Sequence, residues 1–217
     1  MAVPEEAATY TAPASTDELD ALAERLRERN FEALIVETSA EARQAVLDRI
    51  PDGVTIHSGQ SKTLNDLGIS QVLIDSDRYD FVRKRLYKMD RQTQAREIRQ
   101  LASAPDLMLG SVNAITKDGQ LVASSAMGSQ LGPFASGAGR LILVVGSQKI
   151  VRDLDEALAR IRDYVQPYED QRLREQAGIG TILGQDPDSR AGLQAGSHND
   201  RACARTGRNV KQVIRCR

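Results

Sequence analysis

A loop of small and hydroxyl-bearing residues with one lysine follows the second predicted strand. Its sequence is Ser58-Gly59-Gln60-Ser61-Lys62-Thr63, between a strand predicted at Val54–His57 and a helix start. This arrangement presents backbone N–H groups to an anion, although the glycine and lysine spacing of a P-loop is missing. An ordinary hydroxyl turn and helix cap explains the pattern as well. The predicted anion ligands are Ser58, Ser61, Lys62 and Thr63.

Lys149 provides a second candidate site. It follows Gly146, which ends a strand predicted at Leu141–Val145, and a cation in that position meets anions bound at the carboxyl edge of a sheet. The alternative is an exposed lysine on a loop. Asn113 and Thr116, at another strand end, suit the orientation of a carboxylate or carbonyl, or the satisfaction of turn backbone.

Three glycines are interpreted through their backbones. Gly119 and Gly146 are predicted to meet conformational requirements. Gly128 marks either a close approach of the chain to a ligand or a plain turn. Because the first of these alternatives is a contact with a ligand, Gly128 is included among the predicted ligand-binding positions.

The distribution of cysteine and histidine argues against a metal centre in the body of the chain. Cys203 and Cys216 lie in the last 15 residues, which leaves His57 as the one histidine of the body. An Fe–S cluster and a Cys/His zinc site need ligands that this body lacks. We therefore expect no cofactor in this chain. A buried, hydrogen-bonded role for His57 is favoured over general-base catalysis.

Composition narrows the classes of partner. The 217 residues carry a formal net charge of −1, and aromatic residues are only 4%, without tryptophan. Broad binding to DNA or membranes is therefore disfavoured, as is stacking of single-stranded nucleic acid. No apolar run approaches the roughly 20 residues of a membrane span. The acidic segment 1–11 lacks the apolar core of a signal peptide, so a cytoplasmic location is expected.

Strand and helix patterns alternate along the chain. Capping-box sequences at Ser15–Glu18 and Thr38–Glu41 open two helices, and Asp118-Gly119 indicates a hairpin. The apolar run Leu141–Val145 is typical of a strand covered on both faces. This alternation predicts an α/β fold, a mostly parallel twisted sheet with helices on both faces.

Two helical predictions are more specific. The segment 77–103 is predicted to form a long helix or a helix pair whose eight basic residues are compensated by acids. Its basic face is interpreted as solvated, or alternatively as an interface with a partner subunit. The segment 154–165 is predicted to form a helix that ends near Pro167.

Composition divides the chain into three parts. Residues 1–14 are predicted to be disordered, residues 15–181 form the α/β domain, and residues 182–217 are an atypical tail. The tail has seven basic and three acidic residues and no aromatic residue. A nucleic-acid-binding tail, a disordered tail and a frameshifted translation product all fit it. We favour the last, because a one-base shift from Ile182 permits a strand, a Pro-Gly turn and a second strand.

Three sequence stretches resemble the lactate-utilisation (LUD) family. They are Gly110-Ser111-Val112-Asn113-Ala114-Ile115-Thr116-Lys117-Asp118-Gly119-Gln120-Leu121-Val122, then Gly128-Ser129-Gln130, then Val144-Val145-Gly146-Ser147-Gln148-Lys149-Ile150-Val151. The resemblance is close from about Ser58 to Arg174. After Thr181 the family continues with two strands around a Pro-Gly-Arg turn, and this sequence departs from that pattern.

The resemblance implies a fold related to sugar-phosphate isomerases and CoA transferases, in which strand-end loops bind anions. It also implies an accessory or ligand-binding subunit of an Fe–S-dependent L-lactate oxidation system. Two Fe–S proteins are the implied partners and electron carriers, and the clusters are expected in those subunits. The alternative is a stand-alone isomerase or transferase acting on a phosphorylated or CoA-linked organic acid. No catalytic residue is assigned, and neither Glu169 nor Asp170 aligns with the glutamate nucleophile of CoA transferases.

Overall fold

A computed structural model describes residues 9–125 and 128–178 together with the backbone of residues 211–216. Its helices are α1 (Thr16–Glu28), α2 (Ser39–Leu47), α3 (Lys62–Asp66), α4 (Ile69–Asp75), α5 (Val82–Leu86), α6 (Ala95–Ser103), α7 (Leu154–Arg160) and α8 (Gln166–Ala177). Its strands are β1 (Phe31–Val36), β2 (Thr55–Ser58), β3 (Asp80–Phe81), β4 (Leu107–Gly110), β5 (Ala114–Thr116), β6 (Leu121–Val122), β7 (Arg140–Gly146), β8 (Ile150–Val151) and β9 (Lys211–Cys216).

The main sheet has six strands in the order β1-β9-β7-β4-β2-β3, and every neighbouring pair is parallel. Residues 141–145 of β7 are all buried, as their leucine and β-branched composition predicts. The predicted α/β class with a mostly parallel sheet is therefore confirmed.

Helices cover both faces of this sheet, as predicted. Helices α2, α3 and α4 pack on one face, against side chains that include Ile56, Leu109 and Ile142. Helix α1 packs on the other face, where Leu22 and Leu26 join an apolar cluster with β4 and β7. The two clusters give the sheet the dry surroundings that a parallel sheet needs.

A second, three-stranded sheet shares the face of α1. Its order is β6-β5-β8, with β5 and β6 antiparallel and β5 and β8 parallel. The predicted hairpin is confirmed, and Gly119 adopts a φ of 81° at its turn. Two ion pairs join the hairpin tip to α1: Lys117 to Glu18 at 2.7 Å and Arg25 to Asp118 at 3.1 Å. The sequence patterns did not predict this separate sheet.

The starts of α1 and α2 follow their local sequence signals. Both capping boxes form, with Ser15 opening α1 and Thr38 opening α2.

The segment 77–103 contains two short helices, α5 and α6, preceded by the two-residue strand β3. The prediction that the 154–165 helix ends near Pro167 is wrong. Helix α7 ends at Arg160, a π-helical turn spans Ile161–Val165, and α8 follows from Gln166, so helical backbone continues past Pro167.

Strand β9 lies inside the segment predicted to be a disordered or frameshifted tail. Its six residues pair in parallel with β1 on one side and β7 on the other, so β9 occupies an interior position in the sheet. Positions 182–210 lie outside the described residues. At the other end of the chain, the described part of segment 1–14 includes Tyr10, whose carbonyl oxygen accepts a hydrogen bond from Arg160 at 3.3 Å.

Candidate anion-binding site

The connections of the main sheet diverge at β2 and β4. From β2 the chain continues through α3 and α4 to β3, towards one edge, whereas from β4 it continues to β7, towards the other. Helix α3 packs on one face of the sheet, and the β5–β6 hairpin lies on the opposite face. Divergent connections leave a crevice beyond the carboxyl ends of the strands, which is where open parallel sheets bind ligands.

The amino group of Lys149 bridges the two sides of this crevice. Nζ donates to Thr63 Oγ1 at 3.0 Å on the α3 side. It also donates to Ser111 Oγ at 2.8 Å and to the Val112 carbonyl oxygen at 3.0 Å, on the side that leads to the hairpin. All three contacts place the amine at the point where the connections diverge.

Local structure fixes each of these side chains. Strand β7 ends at Gly146, a 3₁₀ turn follows at Ser147–Lys149, and β8 then pairs with β5. Lys149 is therefore held between two strands that belong to different sheets. Ser111 directly follows β4, and Thr63 lies in the first turn of α3, which Ser61 caps by accepting the Leu64 N–H at 3.3 Å.

The electrostatics of Lys149 favour an anionic ligand. Burial, and after it the charge of Arg160, lowers the pKa of its amino group from the ordinary 10.5 to about 8. Among the described residues, no carboxylate lies within ion-pair distance of this amine. Asp66, which acts to raise the pKa, is held by Lys62 at 2.6 Å. A bound anion would offset the cost of the partly desolvated ammonium.

The two hydroxyl groups beside Lys149 complete the chemistry. Thr63 and Ser111 both accept hydrogen bonds from the ammonium group, and their own hydroxyl hydrogens point to weak internal acceptors, Ser111 Oγ for Thr63 and the Val112 carbonyl oxygen for Ser111. Their other contacts are long: Thr63 Oγ1 to Ser111 Oγ and Ser111 Oγ to Val112 O are both 3.4 Å. A ligand could replace these two weak contacts, so the positive charge of the ammonium group and two hydroxyl donors suit the oxygens of a small carboxylate.

The structure therefore unites some of the predicted ligands and separates others. Thr63 and Lys149 meet directly, and Ser111 joins them although the sequence prediction missed it. Its position immediately after a buried strand was the available signal. Lys62 instead turns to Asp66, and Ser61 serves as a helix cap.

Two polar side chains at the end of β2 are buried and lack partners among the described residues. Ser58 Oγ and His57 Nδ1 have no hydrogen-bond acceptor or donor there. The predicted burial of His57 is confirmed, but the predicted hydrogen bond is not found at Nδ1. Burial and the nearby charge of Arg83 lower the pKa of His57 to about 4, so the ring is neutral at pH 7.

The remaining predicted ligands take part in turns. Asn113 Oδ1 accepts the Ser124 N–H at 2.7 Å, and Thr116 Oγ1 accepts the Gln120 N–H at 3.0 Å. Gly128 has a φ of 68°, and a Cβ built on it would meet nothing within 4 Å of the described atoms. These geometries match the turn alternatives for all three residues.

Two further features, a metal-binding cluster and a membrane-spanning helix, are not found among the described residues. Within ranges 9–125, 128–178 and 211–216, no group of three or more His, Cys, Asp or Glu side chains is placed to bind a metal ion. Over the same ranges, no helix has the length and apolar character needed to cross a bilayer.

The fold is that of a parallel α/β protein, and a lysine flanked by two hydroxyl groups lies where the connections of its sheet diverge. The LUD domain family model matches residues 19–203, which is most of the chain. The chain therefore belongs to the LUD domain family, as the sequence resemblance predicted.

Two solved structures are similar to this chain. A DUF162 family protein from Deinococcus radiodurans is 11% identical, with a TM-score of 0.47, over 94% of this chain and 99% of that one. Ribose 5 phosphate isomerase A from Neisseria gonorrhoeae is also 11% identical, with a TM-score of 0.37, over 88% of this chain and 86% of that one. No curated protein matches the sequence.

Proposed function

We propose that this protein is an accessory, ligand-binding subunit of an Fe–S-dependent L-lactate oxidation system. Its membership of the LUD family links it to lactate utilisation. In this role it binds the carboxylate of the substrate or product, and its partners carry the electrons.

The observation that carries the proposal is the Lys149 crevice. Oxidation of lactate to pyruvate keeps the carboxylate and changes the neighbouring carbon, so both compounds present the same anion. The ammonium group of Lys149 balances that charge, while the hydroxyls of Thr63 and Ser111 donate to carboxylate or 2-position oxygens.

The position of the cysteines in the sequence is the reason for assigning the Fe–S clusters to partner proteins. Oxidation of lactate releases two electrons, and an Fe–S route for them needs cysteine ligands. The first 202 residues contain no cysteine. The proposal therefore assigns the clusters to two partner proteins and gives this chain the task of holding the organic acid.

Deletion of the gene is expected to abolish growth on L-lactate while leaving growth on pyruvate intact, because only the oxidation step is lost. The measurement is growth of a clean deletion, complemented with the wild-type chain or with Lys149→Met. Wild type should restore growth, and the variant should not. The tagged wild-type chain should also purify together with cysteine-rich Fe–S proteins.

Normal growth on L-lactate of a deletion strain that has no paralogue would refute the proposal. Turnover of a phosphorylated or CoA-linked acid by the isolated protein would instead support the isomerase or transferase alternative.

A further inference from the structure

Arg160 is a buried cation close to the Lys149 crevice. It lies at the end of α7, and only 3% of the residue is exposed. Its guanidinium donates to the Asn113 carbonyl oxygen at 2.9 Å and to the Tyr10 carbonyl oxygen at 3.3 Å, and it lies over the Tyr164 ring at 5.0 Å. Within the described residues, no carboxylate is within ion-pair distance of it, and its Nε is unpartnered.

Arg160 and Lys149 bind consecutive peptide carbonyls. The Val112 oxygen accepts from Lys149 at 3.0 Å, and the next oxygen, that of Asn113, accepts from Arg160 at 2.9 Å. The same stretch begins with Ser111, whose hydroxyl touches the Lys149 amine. The segment that leaves β4 is therefore held by two cations that come from different elements.

The two cations also interact through charge. Arg160 is the second cause, after burial, of the lowered pKa of Lys149. The other charged groups that act on this amine are Asp66 and Lys62 of α3, and these two form an ion pair with each other. Burying an unpaired guanidinium is costly, because a charge removed from water needs a compensating partner.

We propose that Arg160 is a positioning residue of the anion site. Its guanidinium fixes the Val112–Asn113 segment against the amine of Lys149, and its charge adds to the positive potential that the ligand meets. The inference depends on the proposed function only for the identity of the ligand, a small carboxylate.

The test compares Arg160→Met and Arg160→Lys with a matched control, Arg162→Met. Arg162 is an exposed arginine two positions later that pairs with Asp163 at 2.7 Å. The protein is labelled with ¹³C at the Cε atoms of its six lysines. The signal that disappears in Lys149→Arg belongs to Lys149, and its chemical shift is followed against pH to give the pKa. Pyruvate affinity is measured on the same samples by calorimetry.

Arg160→Met is expected to raise the pKa of Lys149 by at least half a unit, because a neighbouring positive charge is lost. It should also weaken pyruvate binding at least fivefold. Arg160→Lys should keep the lowered pKa but still weaken binding, because lysine cannot reproduce the same contacts. Arg162→Met should leave both quantities unchanged.

An unchanged Lys149 titration together with unchanged pyruvate affinity in folded Arg160→Met would overturn the inference. If Arg160→Met does not fold, the test is the affinity of Arg160→Lys for pyruvate. An affinity equal to that of wild type would count against a positioning role. If wild type does not bind pyruvate but Arg160→Met shifts the Lys149 pKa, the proposed ligand is wrong and the effect of Arg160 on Lys149 is supported.

Discussion

Replacing Lys149 with methionine is expected to abolish binding of small carboxylates and to remove one pH dependence from the stability of the fold. Methionine keeps much of the length of the side chain but cannot donate to Thr63, Ser111 or Val112. At neutral pH the stability itself should change by only about 1 kcal/mol, because the lost hydrogen bonds are offset by relief of a partly desolvated charge.

The sign of the pH dependence follows from the direction of the pKa shift. The amine has a pKa of about 8 in the folded protein against an ordinary 10.5, so between these values the unfolded chain binds more protons. The free energy of unfolding of wild type should therefore rise through that window, by about 3 kcal/mol relative to Lys149→Met. Urea unfolding at pH 7.5, 9 and 10.5 measures the difference.

Carboxylate affinity should follow the charge of the same amine. The ammonium form dominates below pH 8, so pyruvate binding should be strongest there and fall about tenfold per unit at higher pH. Lys88→Met is the matched control, because Lys88 is exposed and its charge is not among those that act on the Lys149 amine. Equal pyruvate affinity in wild type and Lys149→Met would refute the site.

Val213→Pro is expected to unfold the protein or to cost at least about 2 kcal/mol of stability. Val213 lies in the middle of β9, in register with Ala33 of β1 and Leu143 of β7. Proline removes a backbone donor and its ring obstructs close pairing, so it is confined to sheet edges and bulges. A buried backbone group left unpaired costs about 1–3 kcal/mol.

Val213→Ala separates the backbone effect from the effect of the side chain. Both variants remove the branched valine side chain, but alanine keeps the N–H. The difference between the two midpoints in thermal or urea unfolding therefore isolates the pairing of β9. Indistinguishable midpoints would contradict an interior position for this strand.

The sequence predicted those elements whose signals are local. Ser15 and Thr38 open their helices through contacts with residues three positions later, and the Asp118-Gly119 turn follows from the left-handed φ that glycine adopts. The run at 141–145 was equally clear because burial on both faces leaves no polar alternation. The α/β class followed from these patterns.

The site was predicted only in part because its contacts are distant in sequence. Lys149 lies 86 positions from Thr63 and 38 from Ser111. The loop between β2 and the helix start identified Thr63, and the end of β7 identified Lys149. Ser111 also follows a strand, but many serines do, so that signal alone did not single it out. Arg160 was missed because an arginine in an acidic, amphipathic helix usually faces water. Its burial depends on the Tyr10 and Asn113 carbonyls, which only the fold brings together.

The interior position of β9 has a consequence for the order of folding. Each of its partners precedes it in the chain, with β1 near the start and β7 in the second half. A ribosome therefore releases β1 and β7 before the strand that joins them exists, and both expose unpaired edges in the meantime. Pairing β1 with β9 must also close a loop across nearly the whole chain, which favours slow folding. The nascent protein would have its greatest need of a chaperone just before β9 is synthesised.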